Sequence, residues 1–336
     1  MQVNRAQLLS ALEIVRPGLA SKALIEQSTS FAFLGDRVVT YNDEISISHP
    51  IEGLSLTGAI EADRFYALLS KVKADIIELE VADGEILLKM GREKAGITLI
   101  ADVKLPLDAI GEQGKWHPIP KELSAAIHFC KFCCGKDMTK PVLTCVHIRK
   151  DGKVEASDDH RISQYQVSKL PIDTFLLPAR TIPNVLPANI TKIAAGKGWI
   201  HFGTDSGTVF SSRVYQDNYP DNLDKFLAVE GIELKLPKTL PDLLEKAEIF
   251  SKGDFLLDQK ADITVEKNKL KIRTEAGSGW FEAEANIRYD SDPFTFTIHP
   301  LFLREIVQRT QTCILGKNIM KFEGENWQHV VALMAK

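Results

Sequence analysis

The sequence KELSAAIHFCKFC at residues 121–133 decides the fold, because its apolar spacing is that of a helix and the same pattern recurs twice. The related stretches are AQLLSALEIV at 6–15 and KTLPDLLEKAEIF at 238–250. These helices start near positions 4, 120 and 237, so they lie 116 and 117 residues apart. A second series, ADRFYALLSKV, ARTIPNVL and PLFLREIVQRT, starts near 61, 178 and 299, with spacings of 117 and 121. Two series with one period predict a unit repeated three times.

Short segments between these helices alternate apolar and polar residues in the manner of strands. Examples are residues 38–41, 86–90, 154–157 and 209–213, with turn pairs such as Asp83-Gly84 between them. A period near 117 residues has the size of a domain rather than of a solenoid repeat. We therefore expect an α+β protein of three similar domains, 1–114, 115–228 and 229–336, each with two helices and antiparallel sheets.

The overall composition describes a globular chain with a slight acidic excess. Its 336 residues are 44% hydrophobic, include five cysteines and carry a formal net charge of −4, which excludes a disordered chain and a disulfide scaffold. The net charge also argues against a simple basic nucleic-acid binder. The six predicted helical segments nevertheless total +8, which leaves −12 for the rest, so positive charge is expected on the helices. If these segments share a surface, it would meet phosphates without reading sequence.

The cellular address predicted from the sequence is the cytoplasm. The N-terminal stretch MQVNRAQLLSALEIV is interrupted by polar groups and does not read as a secretory signal. No stretch approaches the 18 or so apolar residues of a membrane span, so no membrane partner is expected. Free thiols fit a reducing compartment.

Motifs for catalysis and metal binding are weak. The phosphate-binding G-x-x-x-x-G-K-[ST], the G-x-S-x-G elbow and the H-E-x-x-H zinc motif do not occur. Cys130, Cys133 and Cys134 lie near His128, but their i, i+3, i+4 spacing is that of the apolar side of a helix, and core packing is expected. We expect no metal, no cofactor and no catalytic residue.

The densest polar cluster is Ser157-Asp158-Asp159-His160-Arg161. Its pattern is typical of a polar turn leaving a strand. The alternative is an enzyme, for example a metal-dependent nuclease, that uses Asp158, Asp159 and His160. Adjacent residues on a strand point to opposite faces, which disfavours convergence on one substrate.

The sequence around this cluster also resembles a segment that is found in a known protein family. The run EASDDHRI at 155–162 is similar to the A-T-D-G-H-R-L segment of the bacterial DNA polymerase III beta subunit, the sliding clamp. In the same order, KPVL at 140–143 resembles the family's R-P-x-L, and LPAR at 177–180 resembles V-P-A-R/K. FSSRV at 210–214 followed by NYPD at 218–221 resembles F-x-S-[RK]-L and [FY]-P-D, and HVVALM at 329–334 resembles the terminal Y-V-V-M-P-M. The resemblance spans the chain and is strongest from 120 to 274.

The resemblance implies a non-enzymatic processivity factor. Family members have three domains of like fold, and two subunits close head to tail into a ring with helices around the hole. The implied partners are double-stranded DNA without sequence preference, a second copy of the chain, a clamp loader, and DNA polymerase and other proteins that dock short peptides. A bacterial and a phage-encoded member both fit, so the compartment is the bacterial cytoplasm or an infected cell. A monomeric peptide-binding scaffold without DNA is a third possibility.

The resemblance also implies site residues. The candidate DNA contacts are Lys22, Arg64, Lys71, Lys136, Lys140 and Arg180. The implied dimer contacts are Ile97 and Leu99 against Ile249 and Phe250. The implied peptide pocket comprises Thr139, Val142, Ser157, Asp159, His160, Arg161, Ile162, Ala228, His299, Phe302, Ile319, Val330, Val331, Ala332, Leu333 and Met334. The sequence departs from the family at Asp159, where the family has glycine, and in its ending at Leu333, Ala335 and Lys336.

Overall fold

The computed structural model describes residues 1–111, 113–251 and 258–335. In this part of the chain, one order of elements occurs three times: a strand, a helix, four strands, a helix and three strands. The α+β class and the repeat of the two helix series are thereby confirmed. The domain boundaries near 114 and 228 stay a prediction.

The bounds of the elements follow the three repeats. The first repeat contains β1 Gln2–Asn4, α1 Arg5–Val15, β2 Ser30–Gly35, β3 Arg37–Tyr41, β4 Ile45–Pro50, β5 Leu56–Glu61, α2 Ala62–Lys71, β6 Ile76–Ala82, β7 Glu85–Met90 and β8 Glu93–Thr98. The second contains β9 His117–Pro118, α3 Leu123–Lys131, β10 Cys145–Ile148, β11 Lys153–Ser157, β12 Arg161–Gln166, β13 Phe175–Pro178, α4 Ile182–Val185, β14 Lys192–Gly196, β15 Trp199–Gly203 and β16 Val209–Arg213. The third contains β17 Ile232–Lys235, α5 Leu240–Phe250, β18 Ala261–Glu266, β19 Lys269–Ala276, β20 Gly279–Asn286, β21 Phe294–Ile298, α6 Pro300–Val307, β22 Thr312–Leu315, β23 Ile319–Glu323 and β24 Trp327–Ala332.

Several helices begin at residues suited to cap them. The side chain of Asn4 accepts a hydrogen bond from Gln7 N at the start of α1, and Glu61 accepts from Asp63 N and Arg64 N at the start of α2. Helices α5 and α6 carry a proline in their first turn, where no amide donor is needed. Local sequence therefore sets where these helices start.

The described chain forms two compact units, and neither coincides with a predicted domain. The first unit contains residues 1–124 and 170–216, and the second contains residues 125–169 and 217–336. The middle repeat is thus divided between the units. The cause is strand pairing between successive repeats, which is described below for each unit.

In the first unit, one sheet has the order β1-β6-β7-β8 and another has the order β5-β2-β3-β4-β16-β15-β14-β9. In the second sheet, β4 of the first repeat pairs antiparallel with β16 of the second, with Ser46 opposite Ser211. Helix α1 packs on β3 and β4 with buried Leu8 and Leu12. Gly18 follows this helix, and a Cβ there would lie 2.2 Å from the Thr40 hydroxyl, so no larger residue fits.

In the second unit, one sheet runs in the order β10-β11-β12-β24-β23-β22-β17 and another in the order β20-β19-β18-β21. Here β12 of the second repeat pairs antiparallel with β24 of the third, with Arg161 opposite Val331 and Tyr165 opposite Trp327. Helices α5 and α6 pack on each other, and α5 also packs on β19 and β20. The third strand after the first helix of one repeat thus pairs with the last strand of the next repeat in both units.

The charge of the helices differs from the sequence expectation. Within the bounds given above, α2 and α3 each carry +1, α5 carries −2 and the other three carry zero. The positive excess lies instead in segments flanking the helices, for example at Lys22, Lys136 and Lys192. The difference arises because the observed helices are shorter than the predicted segments, and lysines favour their exposed ends.

The first unit contains a buried histidine that makes its stability depend on pH. His201 on β15 is fully buried and shares a hydrogen bond of 2.8 Å with the Ser211 hydroxyl. Burial lowers the pKa of His201 to about 4. An unfolded histidine takes up its proton near pH 6.5, so acid favours the unfolded chain.

We therefore expect the free energy of unfolding to fall between pH 6.5 and 4 by about 3 kcal/mol on account of His201. Urea unfolding at several pH values measures this loss. His201→Gln, which cannot be protonated, should show a shallower decline over the same range. Equal slopes for the two proteins would contradict the assignment.

Candidate functional site

The polar cluster identified in the sequence forms the turn between β11 and β12. Asp158 closes this turn: its Oδ1 accepts hydrogen bonds from His160 N at 3.1 Å and Arg161 N at 2.8 Å. The Ser157 hydroxyl donates to Arg161 O at 2.8 Å. Asp159 has a φ of +72°, a left-handed conformation that aspartate adopts more readily than most residues. The turn prediction is confirmed, and Asp158 has a structural role in it.

Arg161 joins three elements of the second unit. Its buried guanidinium pairs with Asp158 Oδ2 at 2.9 Å and with Glu305 on α6, and donates to Phe132 O at 2.9 Å just after α3. It also lies 4.0 Å from the ring centroid of Phe302. Because one buried cation satisfies two carboxylates and a carbonyl, it fixes the turn, α6 and the end of α3 relative to one another.

A cavity of about 620 Å³ opens beside this network, and we call it the Arg161 cavity. Three cations and four carboxylates lie in its wall together with apolar groups. The lining residues are Phe132, Cys134, Gly135, Lys136, Asp137, Lys140, Leu143, Asp158, Asp159, His160, Arg161, Leu301, Phe302 and Glu305. Within this wall, Lys140 Nζ donates to Asp159, and this hydrogen bond raises the pKa of Lys140. A hydrogen bond from Thr139 N lowers the pKa of Asp137.

A second cavity of about 310 Å³ lies along the end of the chain, and we call it the tail cavity. Its lining residues are His160, Lys260, His299, Phe302, Ala332, Leu333, Met334 and Ala335. The tail is held by backbone hydrogen bonds from Ala332 N to His160 O at 2.8 Å and from Met334 N to Thr297 O at 2.8 Å. Both cavities share His160 and Phe302, whose rings stack at a centroid distance of 6.2 Å.

Eight of the sixteen residues predicted for the peptide pocket line one of the two cavities. They are Asp159, His160, Arg161, His299, Phe302, Ala332, Leu333 and Met334, and His160 and Phe302 line both cavities. The others line neither cavity: Thr139, Val142, Ser157, Ile162, Ala228, Ile319, Val330 and Val331. Ile162 is opposite Val330 in the β12–β24 pair, where both side chains are buried.

Sequence reasoning missed several residues of the cavity walls. Glu305 and Leu301 lie on α6, one turn apart, on the side that faces the Arg161 cavity. Glu305 lies three residues after Phe302 on this helix, and that spacing was a usable signal. Lys260 precedes β18, and no local pattern in the sequence connects it to the tail cavity.

The six candidate DNA contacts are all exposed side chains. Arg64 and Lys71 lie on α2, Lys22 follows α1, and Lys136 and Lys140 are in the segment after α3. Lys140 is paired with Asp159, and Arg180 Nε donates to Glu44 at 2.8 Å. These two cations are therefore partly neutralised already, and the DNA-contact role of all six stays a prediction.

The four predicted dimer contacts have different environments. Ile249 on α5 is 59% exposed, and Phe250 stacks on Phe281 of β20 at 6.2 Å. Ile97 on β8 is half-buried. The dimer-contact role of all four residues stays a prediction. Leu99 is buried within the first unit, where its Cδ1 lies against the backbone of Gly58. Its side chain packs in the core rather than at a surface.

The three clustered cysteines are buried, as expected for core packing. Cys130 donates a hydrogen bond to Val154 O at 3.3 Å, and burial raises the pKa values of Cys133 and Cys134. All five cysteines are free thiols. Across residues 1–111, 113–251 and 258–335, no group of three or more His, Cys, Asp or Glu side chains is arranged to hold a metal ion. In the same residues, each helix is too short or too polar to span a membrane.

Comparison with solved structures identifies the fold. The DNA polymerase III subunit beta from Pseudomonas aeruginosa superposes with a TM-score of 0.85 at 16% sequence identity, covering 100% of this chain and 99% of that one. The beta subunit from DNA polymerase of Streptococcus pyogenes gives a TM-score of 0.85 at 20% identity with the same coverage. A Pseudomonas aeruginosa sliding clamp bound to griselimycin superposes with a TM-score of 0.82 at 16% sequence identity. The chain therefore has the sliding-clamp fold along its whole length. No protein-family model and no curated protein matches the sequence.

The Arg161 network makes a testable contribution to stability. Replacing Arg161 by methionine leaves the carboxylates of Asp158 and Glu305 without their partner in a largely buried site. We expect a loss of about 3–5 kcal/mol in the free energy of unfolding, measured by urea denaturation.

A matched control is Arg309→Met. The Arg309 guanidinium also faces the Phe132 ring, at 5.0 Å, but the side chain is exposed and forms no ion pair within the described residues. We expect this change to cost less than about 1 kcal/mol. Similar losses for the two variants would show that the ion pairs of Arg161 are not what stabilises the site.

Proposed function

We propose that this chain is a DNA sliding clamp, a non-catalytic processivity factor whose copies close head to tail into a ring around duplex DNA. The ring would hold a DNA polymerase and other replication proteins on the template, and a loader would be needed to open it. Its place of action would be the bacterial cytoplasm or a phage-infected cell. The fold supports this function, and the pairing pattern of the repeats is the observation that carries it.

The pairing pattern leaves two strands without a partner of the expected kind. β4 pairs with β16, and β12 pairs with β24, so the third strand after a repeat's first helix joins the last strand of the following repeat. By the same rule, β20 of the third repeat should pair with the last strand of a following repeat, but the chain has no fourth repeat. Likewise, β8 is the last strand of the first repeat, and no earlier repeat supplies the strand that should pair with it. Both lie at sheet edges. A second copy supplies each missing partner, and such head-to-tail pairing closes into a ring.

The surface at β20 is suited to this contact. Ile249 and Trp280 are each 59% exposed, and Phe250 stacks on Phe281 beside them. An exposed strand edge with large apolar side chains is a site for pairing with another chain. On the second copy, the apolar side chain that meets this surface would be Ile97 of β8, and the buried Leu99 would pack beneath that strand.

Contacts with DNA would be electrostatic and independent of sequence. Phosphate contacts by lysine and arginine position a protein without reading bases, which suits sliding. The six exposed cations named above are the candidates. The enzyme alternative is weakened by the turn geometry, since Asp158 is used by backbone amides and Arg161, and Asp159 pairs with Lys140.

Topological retention on DNA tests the proposed function directly. After loading onto a nicked circular duplex, the protein should co-migrate with the DNA through gel filtration, and cutting the circle once should release it. A magnesium-free control excludes cleavage during the run. Persistence on linear DNA with free ends would contradict encirclement, and cleavage of the circle by the protein would favour the nuclease alternative.

The subunit contact can be tested separately by sedimentation equilibrium. Ile249→Asp places an unpaired charge in the proposed contact, which costs about 3–5 kcal/mol, or about 10²–10⁴-fold in the dimer dissociation constant. Wild-type protein should sediment at twice the chain mass and the variant at the chain mass.

Ile232→Asp is the matched control, because Ile232 is a similarly exposed isoleucine, at 44%, on β17. The pairing rule assigns no intermolecular partner to β17. We expect this variant to remain a dimer. A monomeric control, or a dimeric Ile249→Asp variant, would argue against the proposed contact.

A further inference from the structure

The two adjoining cavities of the second unit differ in charge. The Arg161 cavity is lined by Lys136, Lys140 and Arg161 and by the carboxylates of Asp137, Asp158, Asp159 and Glu305. The tail cavity has a single formally charged side chain in its wall among the described residues, that of Lys260. A ligand that crosses the shared wall of His160 and Phe302 therefore passes from an acidic to a basic environment.

Most charges of the Arg161 cavity are already paired. Arg161 is bound by Asp158 and Glu305, Lys140 is bound by Asp159, and Asp137 accepts hydrogen bonds from the backbone and hydroxyl of Thr139. A carboxylate brought into this cavity would compete with Asp159 for Lys140 and meet the remaining acidic groups. Beside Asp159 the cavity thus disfavours an acidic ligand group, although Lys136 elsewhere in its wall is exposed and forms no ion pair within the described residues.

Lys260 is in the opposite situation. Its side chain is exposed, and no ion pair is formed by it within the described residues. The carboxylates of the adjoining sheet surface are engaged elsewhere: Asp262 accepts from the Thr297 hydroxyl, and Glu275 pairs with Arg273. A ligand carboxylate at the tail cavity would therefore gain the interaction with Lys260 without displacing an existing partner.

The apolar surface around Lys260 specifies the rest of the ligand. Phe302, stacked on His299 at 4.1 Å, and the side chains of Leu333 and Met334 line the tail cavity. An extended peptide suits such a surface, because apolar side chains fill the cavities and a few polar contacts set its orientation.

We propose that the two cavities select their peptide by charge: Lys260 recognises an acidic residue beside the apolar anchor, and Asp159 excludes one from the Arg161 cavity. This rests on the proposed function, in which partner proteins dock short peptides on the clamp. Asp159 and Lys260 are then specificity-determining residues, and the peptide class is an apolar segment with an acidic residue at one end only.

Fluorescence anisotropy with three labelled peptides tests this selection. The peptides share a leucine and phenylalanine anchor and carry one aspartate before it, one aspartate after it, or asparagine at both places. One aspartate peptide should bind wild-type protein about 2–5-fold more tightly than the asparagine peptide, the effect of one exposed ion pair, and the advantage should shrink as salt is added.

Three variants assign this advantage to residues. Lys260→Gln should abolish it, whereas Lys238→Gln, which removes an exposed lysine outside both cavities, should leave it unchanged. Asp159→Asn retains a residue tolerated at positive φ and should improve binding of the other aspartate peptide by about 2–5-fold. The amide and the carboxylate have the same size, so a steric role alone would leave that peptide's affinity unchanged.

Equal affinities for the three peptides, or an advantage that survives in Lys260→Gln, would overturn the charge selection while leaving peptide docking intact. Absence of binding by all three peptides would overturn both docking and selection. Retention on circular DNA reports independently on the clamp function, so its failure is distinguishable from either result.

Discussion

The pairing of β12 with β24 is the interaction on which the candidate site depends. It sets Arg161 opposite Val331 and Ile162 opposite Val330, so the turn before β12 and the tail after β24 leave the same end of the sheet. The backbone hydrogen bond from Ala332 N to His160 O continues this pairing beyond the strands. Because the register of a strand pair fixes which side chains face each side, a slip by one residue would bury Arg161 differently and remove the wall that both cavities share.

Arg161 holds the elements around the candidate site in one arrangement. A buried guanidinium without partners would be costly, and here it is satisfied by two carboxylates and a carbonyl from separate elements. Such a pair need not add stability relative to an apolar core, but it has only one satisfactory arrangement of donors and acceptors. The apolar residues around it, Phe132 and Phe302, could pack in several ways, and the guanidinium stacked on their rings selects one.

The sequence predicted which helices and strands are present better than it predicted where the helices end. It also predicted them better than the residues of the candidate site. Helical periodicity located the six α-helices of the described residues, because the longer ones bury an apolar stripe, as Leu8 and Leu12 do in α1. Helix ends were overestimated, and with them the helical charge, because exposed lysines such as Lys22 and Lys136 carry no periodic signal. The turn at 157–161 was predictable from its residue types. The position of Lys260 at the tail cavity depends on long-range packing, which the local sequence does not show. Leu99 lies at a strand end, and its apolar side chain gives the same sequence pattern whether it faces a partner or the core.

The same pairing constraint that forms the candidate site also underlies the proposed assembly. Every repeat presents the edge of the third strand after its first helix, and the last strand of a following repeat covers it. In a chain of three repeats this leaves one such edge, at β20, and one last strand, at β8, in need of partners. Exposed strand edges rarely persist in soluble proteins without charges, bulges or covering elements. The edge at β20 carries Glu282 and Glu284, which pair with cations of β19, but it also includes Trp280 and lies beside Ile249, both more than half exposed. A repeat that joins internally by strand pairing therefore carries an edge suited to a second copy, and this edge is the basis of the ring proposed above.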